Sequence, residues 1–326
     1  MLAIETVSFG GPEVLRPVER PTPEIRPEEV LIEVKAAGVA RADTLQRRGK
    51  YPPPPGAPDI PGLDVAGRVA AIGAAVKGFA PGNRVCAILA GGGYAEFCAV
   101  PALQVLPTPA NWSDEEAASL PENLFTVYDN LVTRAGLKCG DTVLIHGGTS
   151  GIGSMGLMLA KFLGARSIAT VGSKEKCEAA IRIGAHHAIN YREQDFVTEV
   201  GDLTRGRGAD VVLDMVGGSY LERNLNALAV EGRIVIVATQ GGRTGELDIG
   251  KLMHKRGRVI GSTMRARTPE EKGRVARALS EAVWPSLPAR DPIRPVIDST
   301  FPLRDAAQAH RRMESGEHIG KIVLVV

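Results

Sequence analysis

The chain has 326 residues, 44% of them hydrophobic, and its 39 basic and 37 acidic side chains give a formal net charge of +2. This length accommodates one large or two ordinary domains with buried cores. The near-neutral charge gives no electrostatic reason to expect a nucleic-acid or membrane-surface partner. No apolar run approaches the ~20 residues of a membrane helix, and no basic region precedes an apolar core at the N-terminus. We therefore expect a cytoplasmic protein whose four widely spaced cysteines are reduced, structural thiols (Cys86, Cys98, Cys139 and Cys177).

The first 110 residues are predicted to form a β-rich unit, because short apolar runs alternate with glycine and proline. The proline run at 52–55 is expected to stiffen a loop. The predicted strands are Val30–Val34, Val65–Ile72, Val85–Leu89 and Tyr94–Val100.

From residue 111 onward the pattern changes to helix and then to alternating strands and helices. That alternation predicts right-handed crossovers and a parallel sheet covered on both faces. The predicted strands are Val143–His146, Ser167–Val171, Ala188–Tyr191, Asp210–Val216, Arg233–Ala238 and Arg258–Thr263. The predicted helices are Asp114–Ala118 behind the Ser113 cap, Leu124–Ala135, Lys174–Ile183, Tyr220–Val230 and Pro269–Val283.

The last part of the chain returns to a β-rich pattern. We predict a strand at Ile293–Ile297, a helix at Leu303–Met313 and a terminal strand at Lys321–Val326. We expect this tail to rejoin the first domain. The predicted domains are therefore 1–120 with 290–326, and an inserted domain at 121–289.

The stretch Val143–Gly156, VLIHGGTSGIGSMG, carries the most specific local signal. An apolar strand leads into a G-x-G-x-x-G made by Gly151, Gly153 and Gly156, with Ile152 between the first two, and a helical pattern follows. The first glycine permits a tight turn, the second lets the backbone approach a pyrophosphate, and the third lets helix and strand pack closely. Free N–H groups at the helix start would face the phosphates. This pattern predicts a dinucleotide site, whereas His146 at the strand end is predicted to be structural.

Several segments of the chain together resemble one family. They are AAGVARADTLQRRGKYPPPPGAP (36–58), PGLDVAG (61–67), LPENLFTVYDNL (120–131), HGGTSGIGSMG, GSKEKCEAA, INYREQDF and HIGKIVL. These segments resemble the zinc-free quinone oxidoreductases of the medium-chain dehydrogenase/reductase superfamily, in particular the subgroup of NADPH quinone reductases with a p53-inducible human member. The resemblance covers essentially the whole chain in consistent order. It implies an α/β protein with a GroES-like catalytic domain, a Rossmann domain and a homodimer.

The same superfamily contains zinc alcohol dehydrogenases, and a catalytic zinc needs about three protein ligands. Zinc members place a cysteine in the loop that here reads Gly38–Arg41, and their Gly-His-Glu corresponds to Gly62-Leu63-Asp64. Only Cys86 and Cys98 remain as scattered candidate ligands, so no metal site is predicted.

The predicted nucleotide is NADPH. NAD enzymes carry an acid at the end of the second strand, whereas this strand ends in Thr170-Val171-Gly172-Ser173-Lys174, and the first carboxylate is Glu175. Cations there would receive a 2′-phosphate that a carboxylate would repel. The resemblance assigns Gly172, Ser173, Lys176 and Tyr191 to this site, with Lys174 and Arg192 as additions. Alternatively, both lysines are solvated helix-surface charges.

The nicotinamide is expected near Thr239, Gln240 and Gly241, after the fifth strand. The resemblance places Tyr128 as an aromatic group facing the cofactor, and a buried tyrosine without that role is the alternative. It also assigns Lys321 to the nicotinamide side, and a C-terminal surface charge is the alternative.

Hydride transfer to an electrophilic quinone needs positioning more than a metal or a strong acid. The resemblance makes Tyr51 a substrate-facing residue, although its proline-rich loop could instead have no contact with substrate. Ala40 stands where relatives have asparagine, and Asn123 and Tyr128 stand where they have threonine and tryptophan.

Three functions remain open at this point. The leading one is an NADPH:quinone oxidoreductase. The second is an enone or enoyl-thioester reductase on the same scaffold, and the third is an NADPH-binding protein with little catalysis.

Overall fold

The computed structural model describes residues 1–289 and 291–326. The chain divides into two compact units. The first comprises Met1–Phe125, Met264–Asp291 and Pro295–Val326, and the second comprises Thr126–Thr263 and Pro292–Arg294. Arg290, at which one predicted domain boundary falls, lies outside the described residues.

The strands and helices are numbered in chain order. The strands are β1 (Leu2–Thr6), β2 (Leu15–Glu19), β3 (Glu29–Val39), β4 (Asp64–Ile72), β5 (Arg84–Ile88), β6 (Phe97–Pro101), β7 (Val105–Pro107), β8 (Thr142–His146), β9 (Arg166–Val171), β10 (His187–Asn190), β11 (Ala209–Asp214), β12 (Leu228–Ile236), β13 (Arg258–Gly261), β14 (Ile297–Pro302) and β15 (Lys321–Val325). The α-helices are α1 (Arg41–Arg47), α2 (Asp114–Ala118), α3 (Pro121–Tyr128), α4 (Gly151–Phe162), α5 (Lys174–Ile183), α6 (Phe196–Leu203), α7 (Leu221–Ala227), α8 (Ile249–Lys255), α9 (Pro269–Ala282) and α10 (Ala306–Ser315). A π-helical segment, Asp129–Arg134, follows α3, and 3-10 turns occupy Pro12–Val14, Ala102–Gln104, Gly218–Tyr220, Trp284–Ala289 and Leu303–Asp305.

The first unit is built on a seven-stranded sheet in the order β14-β15-β3-β4-β5-β7, with β6 also paired to β3. The long strand β3 is the centre of this sheet. Strand β15 pairs with it in antiparallel register, Val323 opposite Gly38, so the C-terminal strand completes the sheet. Inward-facing apolar side chains from these strands form the core together with helix α10.

The second unit contains a six-stranded sheet in the order β10-β9-β8-β11-β12-β13, and every neighbouring pair is parallel. Counted within the unit, the order is 3-2-1-4-5-6, which is that of the doubly wound dinucleotide-binding sheet. All five residues of β8 are buried, as expected for a strand covered on both faces. The predicted α/β fold with a parallel sheet is therefore confirmed.

The largest differences between the predicted and the observed elements concern three segments. The predicted helix at Tyr220–Val230 ends at Ala227, because Leu228 already pairs with Ala209 in the parallel sheet. The strand predicted at Ile293–Ile297 is wrong, since β14 begins only at Ile297. The predicted helix Leu124–Ala135 is instead α3 followed by the π-helical segment. The short elements β1, β2, β7, α1, α6 and α8 were not predicted, because they lack an extended periodic pattern.

Residues 264–289 group with the first unit, whereas the predicted boundaries placed them in the inserted domain. Helix α9 packs against the 3-10 turn Ala102–Gln104, and a Cβ on its Gly273 would lie 2.9 Å from Cβ of Leu103. The preceding Arg265 bonds to the carbonyl oxygen of Ala90 at 2.8 Å. These contacts attach the segment to the first unit.

His146 links the carboxyl ends of three parallel strands of the second unit. Its Nδ1 lies 2.9 Å from Oγ1 of Thr170, and its Nε2 lies 2.7 Å from Oδ1 of Asn224. The amide nitrogen of Asn224 donates to Asp214 at 3.0 Å, so its oxygen accepts from the imidazole. Every polar atom of the buried ring thus has a neutral partner, which confirms the predicted structural role.

This network makes stability depend on pH. Burial lowers the pKa of His146 to about 4, with the charge of Arg223 adding to the effect. A depressed folded-state pKa means that stability is present above the unfolded value near 6.5 and is lost as pH falls from there towards 4. His146 should contribute about 3 kcal/mol to this loss.

We expect the urea concentration at the unfolding midpoint to decrease as the pH is lowered from 7 to 4. In His146→Gln this midpoint should depend less on pH. Glutamine preserves one donor and one acceptor but does not titrate. An unchanged pH dependence in the variant would contradict the assignment. Buried His310 of the first unit, whose pKa burial lowers to about 3, should account for part of the remaining dependence.

Candidate functional site

The glycine-rich loop and the start of α4 form the predicted phosphate cradle of the second unit. Ser150 caps the helix, its Oγ accepting from the N–H of Gly153 at 3.0 Å. A Cβ on Gly156 would lie 3.2 Å from Ile145 Cδ1 and 3.3 Å from Leu213 Cδ2, so this glycine permits close helix–sheet packing. A Cβ on Gly153 would lie only 2.1 Å from the carbonyl oxygen of Gly147. Packing within the protein therefore also requires the second glycine of the motif, because the first turn of α4 lies against the backbone of the preceding loop.

The end of β9 brings several predicted residues together. Ser173 caps α5, its Oγ accepting from the N–H of Lys176 at 3.2 Å. A Cβ on Gly172 would lie 2.8 Å from the hydroxyl of Tyr191 and 3.4 Å from Nε of Arg192. The Tyr191 phenol and the Arg192 guanidinium, both donors able to bind a phosphate oxygen, thus lie beside Gly172.

Thr239, Gln240 and Gly241 form an exposed loop that follows β12 at the same carboxyl edge of the sheet. The N–H of Gly241 donates to the carbonyl oxygen of Val216 at 2.7 Å, which ties this loop to the turn after β11. Tyr128 is the last residue of α3 and is buried. The predicted cofactor residues of the second unit thus follow β8, β9, β10 and β12, the edge at which doubly wound sheets bind ligands.

The first unit contains a buried ionic cluster at Lys321. Its Nζ lies 2.6 Å from Oδ2 of Asp64 and 3.6 Å from a carboxylate oxygen of Glu122. The backbone N–H of Glu122 also donates to Asp64. Burial alone would lower the pKa of Lys321, but Asp64 and Glu122 outweigh it and raise that pKa, so the ammonium stays charged. The alternative of a C-terminal surface charge is therefore wrong.

Glu122 differs from Asp64 in keeping contact with solvent, since one fifth of its side chain is exposed. Burial raises the pKa of Glu122 to about 7, against the opposing field of Lys321 and with help from Asp64 and Asp43. A carboxyl group that titrates near neutral pH can hold or release a proton under working conditions. This residue lies in the LPEN segment but was not predicted as a site residue.

Asp43 connects the predicted Ala40 loop to the turn at Gly62. Its carboxylate accepts from the N–H of Ala40 at 2.8 Å, the N–H of Gly62 at 3.0 Å and the hydroxyl of Tyr94 at 3.1 Å. Burial raises the pKa of Asp43, and those two N–H groups oppose that shift. The backbone around Ala40 is thus fixed by a neighbouring carboxylate, although Ala40 itself has no polar side chain.

Behind Asp43, Arg47 donates to Nδ1 of His310 at 3.3 Å, and Nε2 of His310 lies 3.1 Å from the hydroxyl of Tyr94. Because the arginine can only donate, His310 must donate from Nε2 to Tyr94, which in turn donates to Asp43. This series of hydrogen bonds therefore runs in one donor-to-acceptor direction, from Arg47 to Asp43.

Tyr51 is half-buried and lies against Arg265. The guanidinium carbon is 5.3 Å from the centre of the phenol ring, and one N–H donates to the carbonyl oxygen of Tyr51 at 3.3 Å. Burial raises the pKa of Tyr51, which Arg265 opposes and Glu122 reinforces. The phenol thus lies within the fields of a cation and a carboxyl group. Sequence reasoning missed Arg265, because it is 214 residues from Tyr51 in the chain and belongs to no motif.

Within residues 1–289 and 291–326, no group of three or more His, Cys, Asp or Glu side chains could hold a metal ion. All four cysteines are free thiols, as predicted: Cys86 and Cys98 are buried, Cys177 is partly buried and Cys139 is exposed. Ala40 and Leu63, which occupy the positions of zinc ligands, are buried. None of the helices in the described part of the chain combines the length and apolarity needed to cross a membrane.

Comparison with known proteins gives matches along most of the chain. Residues 26–110 match the family model of the alcohol dehydrogenase GroES-like domain, and residues 151–281 match that of zinc-binding dehydrogenases. The quinone oxidoreductase of Lama guanicoe is 34% identical, over 100% of this chain and 98% of that protein.

Solved structures give the same result. A NAD-dependent alcohol dehydrogenase superposes with a TM-score of 0.89 and is 34% identical, and the Escherichia coli quinone oxidoreductase complexed with NADPH superposes with a TM-score of 0.87 and is 32% identical. Both comparisons cover 100% of each chain. With a GroES-like unit, a Rossmann sheet and full-length relatives above 30% identity, the chain belongs to the medium-chain dehydrogenase/reductase superfamily as a quinone oxidoreductase-like oxidoreductase.

Proposed function

We propose that this protein reduces quinones with NADPH and uses no metal. The observation that carries the proposal is the ion pair between Lys321 and Asp64 at 2.6 Å. Asp64 stands where zinc members of the superfamily have the carboxylate of Gly-His-Glu, and here an ammonium already neutralises it. Such a site supplies no Lewis acid for a simple ketone, but a quinone is electrophilic enough to accept hydride without one.

The residues of the second unit fit NADPH. The cradle formed by the glycine loop has free N–H groups at the start of α4, which suit a pyrophosphate. Tyr191 and Arg192 beside Gly172, and Lys176 in the first turn of α5, supply donors and positive charge for a 2′-phosphate. NADPH, when bound, supplies the hydride from its nicotinamide ring. The Escherichia coli relative solved with NADPH supports this choice, whereas the similar alcohol dehydrogenase is described as NAD-dependent.

The other predicted site residues are assigned either to the acceptor or to the nicotinamide. In the first unit, Tyr51 is the acceptor-facing residue, since its ring is half-exposed beside Arg265. In the second unit, Tyr128 and the loop Thr239–Gly241 are assigned to the nicotinamide end of the cofactor. The role of Lys321 toward the nicotinamide stays a prediction beside its observed pairing with Asp64.

Reduction of an enone or enoyl-thioester is the second candidate, and Glu122 is the observation that favours it. Hydride addition to an activated alkene leaves an enolate that must take up a proton. A carboxyl group with a pKa near 7 and partial exposure could supply it. The oxygens of a reduced quinone are less basic than an enolate, so quinone reduction depends less on a proton donor in the protein.

The homodimer and the cytoplasmic location also remain proposals. Exposed apolar side chains on α8 of the second unit, Ile249 and Met253, would suit a surface covered by a second copy.

Steady-state oxidation of NADPH with a panel of quinones and a panel of enones tests the function directly. We expect quinones to be the faster acceptors and turnover to survive treatment with a chelator. Faster turnover with enones than with every quinone would transfer the assignment to the second candidate. Binding of NADPH without turnover on either panel would indicate a weakly catalytic binding protein.

Replacement of Lys176 by Glu tests the nucleotide preference. The wild type should bind NADPH more tightly than NADH, and the variant should lose about tenfold or more in NADPH affinity while NADH affinity changes little. The reason is that a carboxylate beside Ser173 would repel the 2′-phosphate only. Calorimetric titration with both nucleotides measures this, and equal wild-type affinities would contradict the proposed preference.

Gly153→Ala tests the cradle itself. The new methyl group would lie 2.1 Å from the carbonyl oxygen of Gly147, so the loop must shift, and we expect loss of stability and of NADPH affinity. Gly201→Ala is the matched control, because this helical glycine has open space around its Cβ. That control should gain about 0.5–1 kcal/mol in unfolding free energy and bind NADPH normally. Equal behaviour of the two variants would show that Gly153 has no special role.

A further inference from the structure

Arg265 is a buried side chain that joins three segments of the first unit. It is 4% exposed, and its guanidinium donates to Oε1 of Gln46 at 2.6 Å, to the carbonyl oxygen of Ala90 at 2.8 Å and to that of Tyr51 at 3.3 Å. Gln46 in turn donates from Nε2 to the carbonyl oxygen of Asp59 at 2.7 Å. One side chain therefore fixes the backbone at Tyr51, at Ala90 and, through Gln46, at Asp59.

Stability alone does not account for this arginine. Its three acceptors are neutral, and burial lowers the pKa of Arg265, although the fields of Asp43 and Tyr51 oppose that shift. A guanidinium stays charged in proteins, so its burial costs free energy that neutral acceptors offset only in part. An apolar side chain of similar volume would avoid this cost. The position of Arg265 therefore points to a role in ordering the segments that it holds.

The segment that follows Tyr51 has few other ways to be held in place. Residues 52–55 are all proline and have no N–H, so they cannot donate backbone hydrogen bonds to the rest of the unit. They also belong to no helix or strand. The hydrogen bond from Arg265 to the carbonyl oxygen of Tyr51 thus anchors the start of a segment that strand pairing cannot hold.

Arg265 also restricts the ring of Tyr51. Its guanidinium carbon lies 5.3 Å from the ring centre, over one face of the phenol. The same side chain therefore holds both the backbone and the ring of this tyrosine. Because the guanidinium covers one face, another flat group can pack only against the opposite face or the edge of the half-buried ring.

We propose that Arg265 is a positioning residue for the acceptor and that it acts through Tyr51. By holding the carbonyl oxygen and one ring face of Tyr51, it presents the opposite face to a flat acceptor ring. This inference rests on the proposed function, in which Tyr51 faces the acceptor. Loss of Arg265 should therefore weaken binding of the acceptor, whereas binding of NADPH, which is assigned to the second unit, should not change.

Calorimetric titration of the protein saturated with NADP+ tests this role without turnover, with duroquinone as the probe. The ring of duroquinone is fully substituted, so the exposed thiol of Cys139 has no free ring carbon to attack. Arg265→Met should weaken duroquinone binding about tenfold and leave NADPH affinity within about twofold, since only the orientation of Tyr51 is lost. Arg265→Lys should show most of the same loss, because one ammonium cannot reach all the acceptors of a guanidinium.

A double-mutant cycle separates positioning from a merely structural role. Tyr51→Ala should weaken duroquinone binding by a similar factor, and adding Arg265→Met to it should cause no further loss, because both changes remove the same ordered ring. Losses that multiply would show that Arg265 acts independently of Tyr51 and would overturn the proposal. Arg274→Met is the matched control, since it removes an equal charge from a side chain that is 71% exposed. It should change neither affinity.

The ionisation of Tyr51 reports the contact itself. Burial raises the pKa of this phenol and Arg265 opposes the rise, so Arg265→Met should raise that pKa further. In an ultraviolet titration of phenolate, the component that Tyr51→Phe removes belongs to Tyr51. This component should move to higher pH in Arg265→Met and stay in place in Arg274→Met. Were Arg265→Met to fail to fold, Arg265→Gln would replace it in both experiments, because glutamine keeps hydrogen-bond donors and lacks the charge.

Unchanged duroquinone affinity in Arg265→Met would overturn the positioning role, as would a wild type that does not bind duroquinone. Turnover of quinones by the wild type, with duroquinone affinity unchanged in both Arg265→Met and Tyr51→Ala, would leave the proposed function standing while this inference fails. Duroquinone binding with the expected losses, in a protein that reduces no quinone, would leave the positioning role standing while the proposed function fails.

Discussion

The ion pair of Lys321 and Asp64 is the constraint on which the first unit depends. These residues begin β15 and β4, which are not neighbours: β3 lies between them in the sheet. Their side chains meet over Gly38 of β3, where a Cβ would lie 2.7 Å from both Asp64 Oδ2 and Lys321 Cε. The pair therefore joins residues 257 apart in the chain and requires a glycine beneath it. Removing one partner would leave the other charge buried, which typically costs 3–5 kcal/mol.

A second buried network in the first unit is a series of hydrogen bonds with a fixed donor-to-acceptor order. Because Arg47 can only donate, the hydrogen bonds through His310 and Tyr94 have one polarity and end on the Asp43 carboxylate. Asp43 in turn orders the backbone at Ala40 and Gly62, two segments close in sequence to the zinc-ligand positions of related enzymes. In this region the polar groups are therefore held by fixed hydrogen bonds and by one ammonium. Such preorganised groups need no rearrangement when charge develops during a reaction.

Local sequence patterns predicted the second unit well, because the residues that define its strands, turns and helices follow one another in the sequence. The strand, glycine turn and helix of 142–162 follow one another in the chain, and the acid-free end of β9 is visible as Gly172-Ser173. Pattern reasoning failed where pairing overrides periodicity. The run Leu228–Val230 has a helical pattern but belongs to β12, and Glu231, with φ of 63°, marks the irregularity in that strand.

The networks of the first unit were not predictable in the same way. Arg47 and His310 are 263 residues apart, and no spacing rule connects Arg265 to Tyr51. One signal was available for the carboxylates. Asp64 stands alone in an apolar run, PGLDVAG, and a lone acid in such surroundings is either paired or perturbed. Its partner could be found only in three dimensions.

The contact between Gly172 and Tyr191 has a consequence for how this enzyme could evolve. NAD-specific relatives select their nucleotide with a carboxylate at the end of this strand. Here any side chain at position 172 would enter the space of the Tyr191 hydroxyl, which lies 2.8 Å from where a Cβ would be. An aspartate at this position would therefore displace the Tyr191 hydroxyl, which is the end of a flexible side chain that is 41% exposed and can shift. The two positions are therefore coupled, because a change of nucleotide preference by this route also repositions the Tyr191 phenol.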